Sequence, residues 1–331
     1  MAINNNTNDK ITIANIMAVF GIVLLMGLLL LGFLYTGDTL GISILKGVGL
    51  GCFFALLLWF MIKAKSKTSL EDKGKWMVTE YVALAIYLAL AVVSCGWMTQ
   101  FINVYVAKKD IKESFNKDIE AINTTIDNFK SNERTKIMEL STNLTNALTD
   151  HRMDSSVEQL LCELLNTPNL DDVSVRSIDN NINEPYSETI AGVSEANGWD
   201  EKLSTCEKEI SSWNILRMPR LLERVSDLAT DVSEKLTELS ETLPHYAVHD
   251  NTDEHVYHAE QQAADTYMTE VETPSKVKGL KSSPWGYVIC VLIHLLILFN
   301  YLVTHRSNKI RNHKSNATAI HGGRMLNIDN N

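Results

Sequence analysis

Four stretches of this chain contain almost no charge, and they limit its fold more than anything else in it. Ile11–Gly37 has no charged residue in 27 positions, Tyr81–Val106 none in 26, and Trp285–Thr304 none in 20; Leu40–Ile62 carries only Lys46. A helix rises about 1.5 Å per residue, so about 20 apolar residues cross a hydrocarbon layer about 30 Å thick. Backbone groups cannot go unpaired in lipid, so such segments must be helices. The expectation is four spans, at approximately 11–35, 40–62, 78–106 and 284–305. The first run is too long for a secretory signal, and no small-residue cleavage pattern follows "LGFLYTGDT"; it reads as a retained span.

The basic residues orient the spans. The loop "KAKSKTSLEDKGKW" carries Lys63, Lys65, Lys67, Lys73 and Lys75, and the tail beyond the last span carries Arg306, Lys309, Arg311 and Lys314. Short basic loops stay in the cytoplasm. Both patches agree on one arrangement in a cell membrane: residues 1–10 inside, residues 107–283 outside, and a basic tail at 306–331 inside. Residues 107–283 hold 18 Lys and Arg against 34 Asp and Glu, a net of −16, while the rest of the chain nets +6, leaving −10 overall. That acidic segment excludes nucleic acid as a partner, since phosphate binding needs a positive surface. Membrane lipid is the partner the spans imply.

The outer segment reads as helical. Ile111, Phe115, Ile119, Ile122, Ile126 and Phe129 recur in steps of three and four, and after "SNERTK" the pattern resumes with Ile137, Leu140, Leu144 and Leu148. Met218, Leu222, Val225, Ala229, Val232, Leu236, Leu239 and Leu243 form a second seam, opened by Pro219 and closed by Pro244. The expected fold class is therefore an all-α membrane protein: four transmembrane helices with a large extracytoplasmic helical hairpin, coiled-coil-like, between helices 3 and 4. In that hairpin the second rod descends antiparallel to the first. Between the rods, 151–217 holds a short helix, "SSVEQLLCELL", and then a stretch rich in Asn, Asp and Ser that reads as a loop-bearing cap, with Asp171–Asp200 as its exposed part. Cys162 and Cys206 lie in this segment, where an oxidising compartment would let them pair and staple the cap; two separate buried thiols are the other reading.

Four of nine histidines crowd one stretch: His245, His249, His255 and His258, with Asp250, Asp253 and Glu254 among them. Asn251 or Thr252 would cap a final helix carrying His255 and His258 on one face. Three readings stay open: a solvated polar segment, a divalent metal site, and a pH-responsive patch, since imidazole titrates near about pH 6.5. No other cofactor is implied. Within the spans, Glu80, Lys46, His294 and Asn300 are the polar residues of note, and His294 lies deepest; Glu80 and Lys46 are near enough to span ends to reach the interface. Gly47, Gly49 and Gly51 offer a small-residue face for close helix approach, Gly47 and Gly51 above all.

No phosphate-cradling glycine loop, nucleophile–histidine–acid signature or Cys-x-x-Cys occurs. The leading expectation is a non-enzymatic integral membrane protein, a homo-oligomer whose acidic outer domain binds a protein partner or senses a signal. An oligomeric channel or membrane-perturbing effector is the alternative, and an outer-face metalloenzyme rests on the histidines alone.

Overall fold

The computed structural model describes residues 13–67, 73–251 and 256–304. It is mostly helical and divides into two compact units, Met1–Lys108 with Leu280–Asn331, and Lys109–Gly279. The basic tail, and His255 with it, lie outside the described residues.

The first unit holds α1 (Ile13–Tyr35), α2 (Leu40–Ser66), α3 (Lys73–Val106) and the last helix of the chain, α11 (Pro284–Val303). All four are long and apolar enough to cross a membrane, which makes this a multi-pass membrane protein by length and composition. Helix α1 touches the other three, and α3 also packs on α2 and α11. Their shared interior is built from Leu25, Leu29, Phe54, Met61, Tyr87, Met98 and Ile297. The opposite faces expose Val19, Phe20, Leu45, Phe53, Val92, Leu292 and Leu295. Such an apolar surface is unmanageable in water and ordinary in lipid.

Two glycines set how closely these helices meet. A methyl group added at Gly32 would lie 2.3 Å from the carbonyl oxygen of Trp97, and one at Gly47 would lie 2.9 Å from the backbone nitrogen of Leu30. Gly51 faces Met26, whereas Gly49 points to open space. The Gly47–Gly51 face is thus occupied by α1 of the same chain, and it carries no information about oligomers.

The second unit opens with α4 (Lys108–Asp150), a single 43-residue helix that "SNERTK" does not interrupt. After it come α5 (Ser155–Leu164), α6 (Val175–Ile178), a π-helical turn over Asp179–Asn183, α7 (Glu184–Ala196), α8 (Trp199–Ser212) and α9 (Met218–Thr242). The cap is therefore helical through most of the stretch expected to be loops. Ser174 and Ser177 form a reciprocal capping box at the start of α6, and Pro185 opens α7. Ile178, Ile182, Ile190 and Val193 keep a buried helical period beneath a polar composition.

Helix directions overturn the antiparallel hairpin. Lys112 near the start of α4 donates to Ser211 O at the end of α8, 2.8 Å away. Helices α8 and α9 then run antiparallel, tied by Trp199 Nε1 to Asp231 Oδ2 at 2.9 Å and Arg224 to Glu209 at 3.1 Å. At its far end α9 places Ser240 Oγ 3.4 Å from Glu133 Oε1, and the segment beyond it lets Asn143 Nδ2 donate to Val248 O at 2.8 Å. So α9 runs the same way as α4. The chain returns instead through an extended segment, residues 262–272, into α10 (Thr273–Lys278), which packs on α9.

The helix expected over the histidine stretch is also absent. Tyr246–Asn251 forms β1 and Val256–Gln261 forms β2, an antiparallel pair in which His249 faces His258. Val248 and Tyr257 are buried against α4 and α5, the alternation of a strand. The domain is thus not purely helical. Nor is the disulfide formed: Cys162 and Cys206 are both free thiols. Cys162 belongs to α5, which packs on β2, and Cys206 to α8, which packs on α9, where burial pushes its thiol pKa up.

Replacing Gly32 with Val should cost about 1–3 kcal/mol, because neither neighbour at that contact is a movable side-chain tip. The same change at Gly49 should stay within about 0.5 kcal/mol. Unfolding of the purified chain in detergent measures both; equal losses would contradict the packing described.

Candidate functional site

Within the first unit the polar side chains line up along the seam between α3 and α11. Glu80, Tyr87 and Ser94 are spaced by sevens on α3, and His294 and Tyr301 by seven on α11, so each set keeps one helix face. All five are buried. Tyr87 Oη lies 3.1 Å from His294 Nδ1, and Ser94 Oγ lies 3.2 Å from His294 Nε2. Ser94 gives its own proton to Ala91 O at 2.9 Å. One tautomer then satisfies the group: Nε2–H donates to Ser94, and Nδ1 accepts from Tyr87. The Phe54 ring closes the cluster, 5.3 Å from the imidazole and 5.1 Å from the Tyr87 ring.

One heptad along, Tyr301 Oη donates to Glu80 Oε1 at 2.6 Å, while Lys65 Nζ donates to Tyr301 O at 2.6 Å and sits 4.4 Å from its ring centre. Glu80 is therefore fully buried rather than extended to the interface. Asn300 Nδ2 donates to Asn15 Oδ1 at 2.7 Å, joining α11 to α1. Lys46 turns back to Asp38 in the loop between α1 and α2, with Nζ–O distances of 2.7 and 3.0 Å.

In the second unit two carboxylates of α4 hold the extended return segment. Glu133, buried, occupies the position that continues Phe129 and Ile137 in steps of four. Its Oε1 accepts from Tyr267 Oη at 2.7 Å, Ser240 Oγ at 3.4 Å and Lys136 Nζ at 3.2 Å. Lys136 also meets Asp265 at 2.7 Å; burial opposes its charge, but the two carboxylates outweigh this and raise its pKa. Burial first, and then the Glu133 charge, push the Tyr267 phenol well above its ordinary value. The Tyr267 ring stands edge-on to Phe129 at 5.0 Å. Asp118, also buried, accepts from the backbone N–H groups of Glu272 at 2.9 Å and Thr273 at 3.1 Å.

Helix α9 supplies the other partners. The hydroxyls of Ser240, Thr237 and Ser233 accept from the backbone N–H groups of Asp265, Tyr267 and Thr269 at 3.2, 3.1 and 2.9 Å. Hydroxyls three and four residues apart on a helix thus meet alternate amides of an extended chain. The sequence reading missed this arrangement. Its signal was an acidic residue in an apolar register and a row of Ser and Thr beside a leucine seam.

The histidines are only partly gathered. His258 Nδ1 lies 2.7 Å from Asp154 Oδ2, His249 faces His258 across the strands, and His245 Nε2 contacts Ser240 O. Among the described residues no three His, Cys, Asp or Glu side chains are grouped to hold a metal ion. No family model, curated protein or solved structure matches the chain.

Two predictions follow from these bonds. Tyr267→Phe and Glu133→Gln should couple by about 1–3 kcal/mol in a double-mutant cycle of unfolding; additivity would sever the link between them. Asp154 also caps α5 through Ser156 N and Val157 N. Burial raises its carboxyl pKa, but bonds from Ser156, Val157 and His258 outweigh it and hold the group below its usual range. Its stabilisation is therefore present above about pH 4 and lost as pH falls through the depressed value. Asp154→Asn keeps a capping oxygen but removes the charge at the start of α5, and should cost about 0.3–1 kcal/mol at neutral pH. The gap from the parent chain should close in acid below that range, as unfolding at stepped pH would record.

Proposed function

We propose that this chain displays its second unit on the outer face of a cell membrane, with both termini in the cytoplasm, as a non-enzymatic module that binds a protein partner. We further infer that it acts as a homo-oligomer. The orientation rests on the lysines between the second and third spans and on the acidic balance of 107–283.

The observation that carries the binding reading lies on the cap. A groove of about 600 Å³ runs between α4 and the α6–α7 segment, lined by Ser141, Thr142, Thr145, Arg176, Asp179 and Asn183, with Val175 on its wall. Val175 is half exposed, and so is Met138, one helical turn before Thr142. We read these two apolar side chains beside the polar groove as the contact points for a protein partner. The buried carboxylates Asp118 and Glu133, by contrast, are engaged in holding the chain's own return segment.

The alternative is an oligomeric channel or membrane-perturbing effector, and its support is the buried file of Glu80, Tyr87, Ser94, His294 and Tyr301. Proteoliposomes that pass no ions anywhere between about pH 5 and 8 would remove it.

A photo-crosslinking residue placed at Val175, in cells that make the protein naturally, should yield one discrete protein adduct. Met138→Asp in the same background should abolish it. If positions 138, 175 and 176 all give no adduct, the cap is not the binding surface.

A further inference from the structure

Near the loop joining α1 and α2, the first unit has an open pocket of about 480 Å³. Phe33, Thr36 and Asp38 line one side of it, Lys46 and Leu50 of α2 another, and Trp97 of α3 the third. Lys46 is six residues into α2, about 9 Å along the axis from its start. A cation that far into a span is costly unless it is drawn back toward water and paired. Asp38 supplies that pair, yet the pair remains open: the lysine side chain is 49% exposed and the aspartate 23%. The Lys46 ammonium carries three donors, of which Asp38 engages two.

The walls are aromatic. Lys46 Nζ lies 5.5 Å from the centre of the Phe33 ring, and that ring meets Trp97 at 4.9 Å with the planes tilted by 42°. Tyr35, Phe101 and Tyr105 form a second aromatic run at the same ends of α1 and α3, with ring centres 5.8 and 6.3 Å apart in succession. Tyr and Trp gather where spans meet the headgroup layer. The close contact of Gly32 with the Trp97 backbone keeps the wall in place. The pocket thus combines one cation, one anion and an apolar floor at the end of three spans.

An anion alone would meet Lys46 but crowd Asp38, and a cation alone would do the reverse. A zwitterion suits both. We propose that this pocket binds a phospholipid whose headgroup carries a phosphate and a primary ammonium two carbons apart. The phosphate is placed on Lys46, the ammonium donates to Asp38, and the glycerol end rests on Phe33, Leu50 and Trp97. A quaternary ammonium has no N–H to give the carboxylate, and an anionic headgroup adds a second negative charge beside it. The site therefore ranks phosphatidylethanolamine above phosphatidylcholine and phosphatidylglycerol.

The test titrates the purified full chain in detergent with the dihexanoyl forms of these three lipids and counts bound lipid by native mass spectrometry. The unaltered chain should bind the ethanolamine lipid about tenfold more tightly than the choline lipid, the discrimination one charge-assisted hydrogen bond supplies. Lys46→Gln should weaken all three. Asp38→Asn should bring ethanolamine and choline lipids to within about twofold and raise the affinity for the glycerol lipid, as removal of the repelling charge requires. Should Lys46→Gln fail to fold, the ranking measured with Asp38→Asn, a change in the exposed loop, decides alone. Three lipids bound equally by the unaltered chain, or a ranking that Asp38→Asn leaves intact, overturns the proposal.

Discussion

An extended chain packed against helices must find partners for its backbone amides: Gln262 still donates to His245 O beside the strand pair, while Asp265, Tyr267, Thr269 and Glu272 donate to side chains. Among the described residues the sheet is the β1–β2 pair alone, and it ends at Gln261. Ser240, Thr237 and Ser233 take alternate amides, Asp118 takes the two at the start of α10, and Glu133 anchors Tyr267 between them. A buried amide left unpaired costs about 1–3 kcal/mol, so these groups cannot be exchanged for apolar ones without loss. The direction of α9 follows from the same arrangement. Because an extended segment makes the return journey, α9 is able to run with α4, while α8 runs opposite to both.

The spans obey the rule in a drier setting. Inside the four-helix unit, polar groups are paired one against another down the α3–α11 seam, and small residues let backbones approach where there is no room for a side chain. The outer faces of the spans are mostly apolar, with the Asn15–Asn300 pair an exposed exception. That is why the proposals for function turn to the places where polarity is left facing outward: the cap groove beside Val175, and the Lys46–Asp38 pair.

How far the sequence could be read depended on the length scale of its signals. The four spans were legible because charge is absent over some twenty residues at a time, and α4 and α9 because Ile111–Phe129 and Val225–Leu236 repeat over several turns. Helix direction leaves no such trace. A seam with period 3.5 looks the same in parallel and antiparallel pairs, so the economical hairpin was the natural expectation and was wrong. The short β-pair was hidden because strands of six residues carry little pattern, and histidine and aspartate drew attention away from Val248 and Tyr257. In the cap, Asn and Ser masked a buried Ile178–Ile182–Ile190 stripe. Glu80, His294, Asn300 and Lys46 were visible as polar residues in apolar runs, but Tyr87, Ser94 and Tyr301 are ordinary in composition and became partners only once the helices were set side by side. Asp118 and Glu133 were in plain sight as interruptions of an apolar register.

The path of the chain in the second unit is most directly measured by distances between spin labels at exposed positions on α4 and α9. A label at Lys117 should lie close to one at Glu223 and farther, by roughly 20 Å, from one at Glu241, since α9 rises about 1.5 Å per residue in the direction of α4. The opposite order, with the 117–241 pair the shorter, would mean that α9 descends beside α4 and that residues 262–272 do not make the return.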